Sequence, residues 1–111
     1  MTVRKTRLGV AIYLTPDGAL VAETLPAFQE AVGETQGNGD ANIVVDMKRV
    51  PFIDSDGLEY LWDLATNLGT QGGSLRIACV NQTCKDILRI TRVDQTIPVY
   101  DDLETAGRSF L

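Results

Sequence analysis

Phe52-Ile53-Asp54-Ser55-Asp56-Gly57-Leu58-Glu59-Tyr60-Leu61-Trp62 is the stretch on which the fold turns. It begins apolar, passes through three polar residues and a glycine, and then repeats apolar residues at helical spacing. Leu58, Leu61, Trp62, Ala65 and Leu68 fall on one helix face. Asp54 to Asp56 therefore stand where an extended segment hands over to a helix. Helix starts carry unpaired N–H groups and the positive end of the dipole, so carboxylates or a phosphate are favoured there. Asp56 with Glu59 three residues on fits a capping-box-like arrangement.

Upstream, Ile43-Val44-Val45 is a short continuous apolar run, as in a strand buried on both faces. Before it, Gly37-Asn38-Gly39-Asp40 reads as a polar loop. Its Gly-x-Gly follows a helix and precedes a strand, the reverse of a dinucleotide-binding loop. Thr24 is a cap candidate and Pro26 suits a first turn, so a helix is expected through Leu25, Phe28 and Val32 to about Gly33. Val10-Ala11-Ile12-Tyr13-Leu14 reads as a strand, with Thr15-Pro16-Asp17-Gly18 as a turn after it. Val3 to Leu8 is expected to pair with that strand as an edge hairpin.

Downstream, Gly69 is the expected helix stop, and Gly72-Gly73 turns the chain into a strand from Ser74 to Val80. A third helix is expected from a cap at Asn81 to Ile90. Ile97-Pro98-Val99-Tyr100 follows as an edge strand, and Asp101 or Asp102 caps a last helix from Leu103 to about Phe110. Strands alternating with helices give an α/β fold. The expected form is a mixed, mostly parallel sheet of about four to five strands with about four helices, in a single domain over residues 1–111.

Composition narrows the function. The chain has 111 residues, net charge −5 and no histidine, which removes the commonest general base and imidazole metal ligands. Only ten Lys and Arg are present, too few to expect nucleic acid as a partner. No apolar run approaches a membrane span of about 20 residues, and no signal-peptide stretch follows Met1 to Leu8. A cytoplasmic chain with no direct membrane insertion is expected. Cys79 and Cys84 are wrongly spaced for a CxxC motif and read as reduced, mostly buried thiols. An enzyme would rest on Asp46, Asp54 and Asp56. A receiver-type set would also need an acidic pair after the first strand and a late lysine, and both are missing. The reading is a non-enzymatic binding module with no cofactor and no metal.

Phe52-Ile53-Asp54-Ser55-Asp56-Gly57-Leu58, followed by an amphipathic helix, a Gly-Gly turn and a strand, resembles the STAS domain. That family comprises bacterial anti-sigma factor antagonists and cytoplasmic domains of sulfate transporters. Its signature is Asp, Ser, Ser or Thr, then Gly-Leu. Ile43 to Asp46, Gly72 to Ile77, Asn81 to Val93 and Ile97 to Ala106 match its remaining elements in order. The resemblance implies a partner-switching protein. An anti-sigma factor that is also a serine kinase binds at Asp54, Ser55, Asp56, Gly57 and Leu58 and modifies a hydroxyl there, and a serine phosphatase resets it. Through that switch it regulates sigma-factor-dependent transcription. The alternative is a constitutive STAS docking subunit of a stress-signalling assembly or of a lipid or anion transporter complex. A monomer or weak dimer is expected.

The chain departs from that signature twice. Asp56 stands where the family usually has its phosphoacceptor, and Val21 stands where the first helix often begins with an acid. Two readings of Asp56 stay open. It is a fixed, partial phosphate mimic, with about one unit of charge against nearly two. Alternatively, Ser55 has taken over as acceptor. Trp62 also has two readings, as an aromatic at the edge of the core or as an exposed interface anchor.

Overall fold

The computed structural model describes all 111 residues, Met1 to Leu111. Its elements are β1 (Thr2–Leu8), β2 (Ala11–Asp17), α1 (Leu25–Gly37), β3 (Asn42–Asp46), α2 (Ser55–Thr70), β4 (Ser74–Ala78), α3 (Gln82–Ile90), β5 (Val99–Tyr100) and α4 (Leu103–Arg108). The sheet keeps sequence order, β1-β2-β3-β4-β5. β1 is antiparallel to β2, and the other pairings are parallel. This is the mixed five-stranded α/β sheet with four helices that the alternation of apolar periods predicts.

The connections α1, α2 and α3 step along the sheet in one direction and so share one face. Ile12 and Leu14 of β2, Ile43 and Val45 of β3, and Leu75 and Ile77 of β4 point to that face. They meet Phe28 and Val32 of α1, Leu61, Leu64 and Leu68 of α2, and Cys84 and Leu88 of α3. Each such side chain, fully buried, contributes about 1.5–3 kcal/mol. Alternate residues face the other way, where α4 covers them: Ala106 packs with Ala11, Tyr13, Val44 and Ala78. A strand covered on both faces must be apolar throughout, which is why Ile43-Val44-Val45 is a continuous run.

Local chemistry sets the helix starts. The Asn81 side chain accepts from the Cys84 N–H at 2.8 Å and starts α3. Asp102, of the two candidates, caps α4 by accepting from the Thr105 N–H at 2.7 Å. Thr24 precedes α1 but makes no capping bond. Its hydroxyl instead donates to the Ala19 carbonyl at 2.5 Å and accepts from the Val21 N–H at 3.1 Å, shaping the approach loop.

Several boundaries differ from the sequence reading. β4 ends at Ala78 rather than Val80, β5 keeps only Val99 and Tyr100 of the four residues expected, and α4 stops at Arg108 rather than near Phe110. Thr15-Pro16-Asp17 is not a turn; it continues β2 and pairs with β1, Pro16 lying opposite Val3. β3 pairs only with Ile12 to Leu14, so Pro16 removes no ladder bond on that side. Gly33 does not end α1, which runs on to Gly37, because the buried Val32 and Thr35 hold that turn on the core. α2 likewise passes Gly69 to Thr70, and the chain turns at Gly72, whose φ is +80°. No helix is long and apolar enough to cross a membrane.

Candidate functional site

Beyond β3 the chain does not enter α2 directly. Residues 49–54 first run beside residues 18–20. The Gly18 N–H donates to Arg49 O at 3.2 Å, the Leu20 N–H to Phe52 O at 3.0 Å, and the Asp54 N–H to Leu20 O at 3.1 Å. Leu20 and Ile53 form a short parallel bridge, with both side chains buried. The start of α2 is thereby tied to the segment leading into α1.

Asp54 holds this junction. Its backbone is extended, and it occupies the cap position of α2. Oδ1 accepts from the Gly57 N–H at 2.9 Å, and Oδ2 accepts from the Ala22 N–H at 3.1 Å. The expected capping-box role of Asp56 with Glu59 is therefore corrected: Asp54 caps, and Asp56 lies inside the first helical turn. The reason is that Asp54 alone has the extended backbone a cap requires. Gly57 is buried because the Leu20 carbonyl lies against it. A Cβ there would collide with that oxygen and would stand 2.9 Å from the Ile53 side chain.

Ser55 and Asp56 are exposed at the tip of the helix, and Leu58 is half-buried against the core. Trp62, one turn on from Leu58, is 44% exposed, so it is not a core residue. An open groove of about 430 Å³ lies between α1 and α2. Ala22, Leu25, Pro26 and Gln29 line one side, and Asp56, Glu59, Tyr60 and Asp63 line the other. The Tyr60 ring meets Phe28 edge-on at 5.8 Å, and burial pushes its phenol up to about 12.

Asp46, Asp54 and Asp56 do not converge. Asp46 is buried on the α4 face of the sheet, where Thr15 Oγ1 donates to it at 3.3 Å and the Lys48 ammonium pairs with it at 3.2 Å. Asp54 and Asp56 belong to the face carrying α1 and α2. No group of His, Cys, Asp or Glu is arranged to hold a metal ion. Cys84 is buried and Cys79 half-buried, both unpaired. Val21 is half-buried beside Thr24, so its position carries no charge to the groove. Sequence reasoning missed Ala22, whose contribution is a backbone N–H with no side-chain signal.

The family model of the STAS domain matches residues 2–106. No curated protein matches the chain significantly. Several solved structures share the fold. A candidate anti-sigma factor antagonist from Thermotoga maritima superposes with TM-score 0.90 at 20% identity, over 96% of this chain and 92% of that one. An anti-sigma factor antagonist from Mycobacterium paratuberculosis gives TM-score 0.87 at 23% identity, over 97% and 92%. The Bacillus cell fate determinant SpoIIAA in its phosphorylated form gives TM-score 0.72 at 13% identity, over 97% and 99%. The match takes in Phe52 to Leu58 along with nearly all of the rest, and the chain belongs to the STAS family.

Proposed function

We propose that this chain is an anti-sigma factor antagonist-like partner switch. Its Asp54–Leu58 segment seats an anti-sigma factor that is also a serine kinase, and Ser55 is the residue that kinase modifies. The observation that carries this reading is the division of labour at the start of α2. Asp54 spends both carboxylate oxygens on backbone N–H groups. Ser55 and Asp56 are left exposed beside it. Because Asp54 is the cap, Ser55 is not needed as one. Its hydroxyl stands free at a helix start, where phosphate is well tolerated. A relative with this fold has been captured phosphorylated.

Phosphate on Ser55 adds about −1.5 to −2 charge next to Asp54 and Asp56. Burying that dianion in the contact costs far more desolvation than burying the hydroxyl did, and the complex would dissociate. A serine phosphatase would restore binding. Asp56 supplies a constant part of that charge, so it sets the baseline affinity.

The test combines intact mass with affinity. The chain, Ser55→Ala and Asp56→Ser are each incubated with the cognate kinase and ATP, and binding is measured before and after. One added phosphate in the wild type and none in Ser55→Ala is expected, with affinity lost only in the modified form. Phosphate persisting in Ser55→Ala rejects Ser55 as the acceptor. No phosphate at all, with tighter binding by Asp56→Ser, leaves Asp56 as a fixed mimic and the chain as a constitutive docking module.

A further inference from the structure

Charge is segregated along the chain. Between Arg7 and Arg76 the only basic residues are Lys48 and Arg49. Those two pair with Asp46 and Asp17. The helices α1 and α2 contain no lysine or arginine. On α2, Asp56, Glu59 and Asp63 take part in none of the seven ion pairs of the structure. Their spacing of three and four residues makes them neighbours on one helix face, where like charges weaken the helix that carries them. All three line the groove between α1 and α2, whose opposite wall is formed by the apolar Ala22, Leu25 and Pro26 together with the polar Gln29. Trp62 lies on the adjoining shoulder of the same helix and is 44% exposed.

A half-exposed tryptophan beside three carboxylates with no cation of their own, next to a groove whose far wall mixes three apolar residues with one amide, is complementary to one kind of occupant. We propose that the outer face of α2, from Asp56 to Asp63, docks a cationic amphipathic helix of a protein partner. Its basic side chains would enter the groove against Asp56, Glu59 and Asp63, and its apolar side would cover Trp62. Both contacts desolvate together, which strengthens the charge pairing beyond that of an open surface. The proposal rests on the reading that the Asp54–Leu58 segment is partner-facing. It extends that surface by two helical turns and assigns its chemistry.

Trp62 is the only tryptophan in the chain, so its fluorescence reports on this face alone. The probe is a designed 18-residue amphipathic helix with arginine on its polar face and leucine on the other, free of tryptophan and tyrosine. A counterpart with glutamate for arginine serves as control. Expected results are a saturable blue shift with the arginine peptide, weakening as salt rises, and none with the glutamate peptide. Asp56→Asn, Glu59→Gln and Asp63→Asn combined should lower affinity at least tenfold. Asp86→Asn, Asp94→Asn and Glu104→Gln combined make the same charge change elsewhere and should stay within about twofold, each set being checked for unchanged circular dichroism.

Equal losses in the two triple variants mean general electrostatic attraction and overturn the proposal. So does binding without a Trp62 shift, or no binding of the arginine peptide. Should the acidic triple variant fail to fold, Glu59→Gln and Asp63→Asn singly carry the same test. The phosphorylation assay with the kinase is independent of this readout. Failure at Ser55 with a retained peptide response removes the switch and leaves the docking face, and the converse removes only the face.

Discussion

Asp54 Oδ2 accepts a hydrogen bond from the Ala22 N–H at 3.1 Å, joining the start of α2 to the approach of α1 across 32 residues of sequence. The other oxygen caps α2 through Gly57 at 2.9 Å. One carboxylate thus fixes the junction from both sides, and Ser55 and Asp56 inherit their exposure from it.

Replacing Asp54 separates these two roles. Asp54→Ala loses the cap and the tie to Ala22, and is expected to lower stability by about 1–2 kcal/mol in urea denaturation. Asp54→Ser keeps a capping oxygen but has one acceptor where two are used. It should fall between the wild type and the alanine variant. Hydrogen exchange at Ala22 should accelerate in both, while exchange at Gly57 accelerates only in Asp54→Ala.

Two helical glycines should respond in opposite directions to alanine. At Gly57 the new Cβ meets the Leu20 carbonyl, whose oxygen is engaged by the Asp54 N–H, so relief would break that bond. Gly57→Ala should destabilise by about 1–3 kcal/mol despite the better helix former. At Gly33 nothing lies within 4 Å of the added carbon. Gly33→Ala should stabilise by about 0.5–1 kcal/mol. Urea midpoints shifting in the same direction for both would refute this packing account.

The contrast shows what was legible in the sequence. Element order followed from periodicity, because Ile43-Val44-Val45 and the Leu58, Leu61, Leu68 series answer to burial, which a sequence records directly. The position of the motif at a helix start was legible for the same reason. Boundaries were less so. Thr15-Pro16-Asp17 carries turn chemistry locally, yet pairing with Thr2 to Arg4 keeps it extended. The choice of Asp54 over Asp56 as the cap depends on backbone angles set by residues 18–20, which are distant in sequence. Ala22 was invisible because its part is played by a main-chain group.

Tyr60 gives the fold a pH signature. Burial raises its phenol from the ordinary 10.0 to about 12. The folded state thus favours the neutral phenol, and its stabilising contribution is complete below pH 10. That contribution is lost as pH rises from about 10 to about 12. In an absorbance titration one tyrosine should ionise near 12, and Tyr60→Phe should remove that step. Tyr100 should ionise below the ordinary value, because it is hydrogen-bonded to Ser109 and lies near Arg76. A titration with all tyrosines alike near 10 would contradict both assignments.

The two cysteines should differ in reactivity in a way that isolates Asp46. Burial pushes the Cys84 thiol up, and its Sγ lies 3.6 Å from the Val50 carbonyl. It should resist alkylation until the chain unfolds. Cys79 is half-buried at the end of β4, and its thiol is raised by burial and then by the adjacent carboxylate of Asp46. Because the thiolate is the reacting form, labelling of Cys79 should keep accelerating with pH beyond the ordinary thiol range of about 8.5. Asp46→Asn removes the negative charge and leaves Lys48 nearby, so the profile should move to lower pH and labelling at pH 7.5 should speed up. Peptide mapping assigns the modified residue, and circular dichroism confirms that the variant is folded. A folded Asp46→Asn with an unchanged Cys79 profile would show that burial alone sets this thiol.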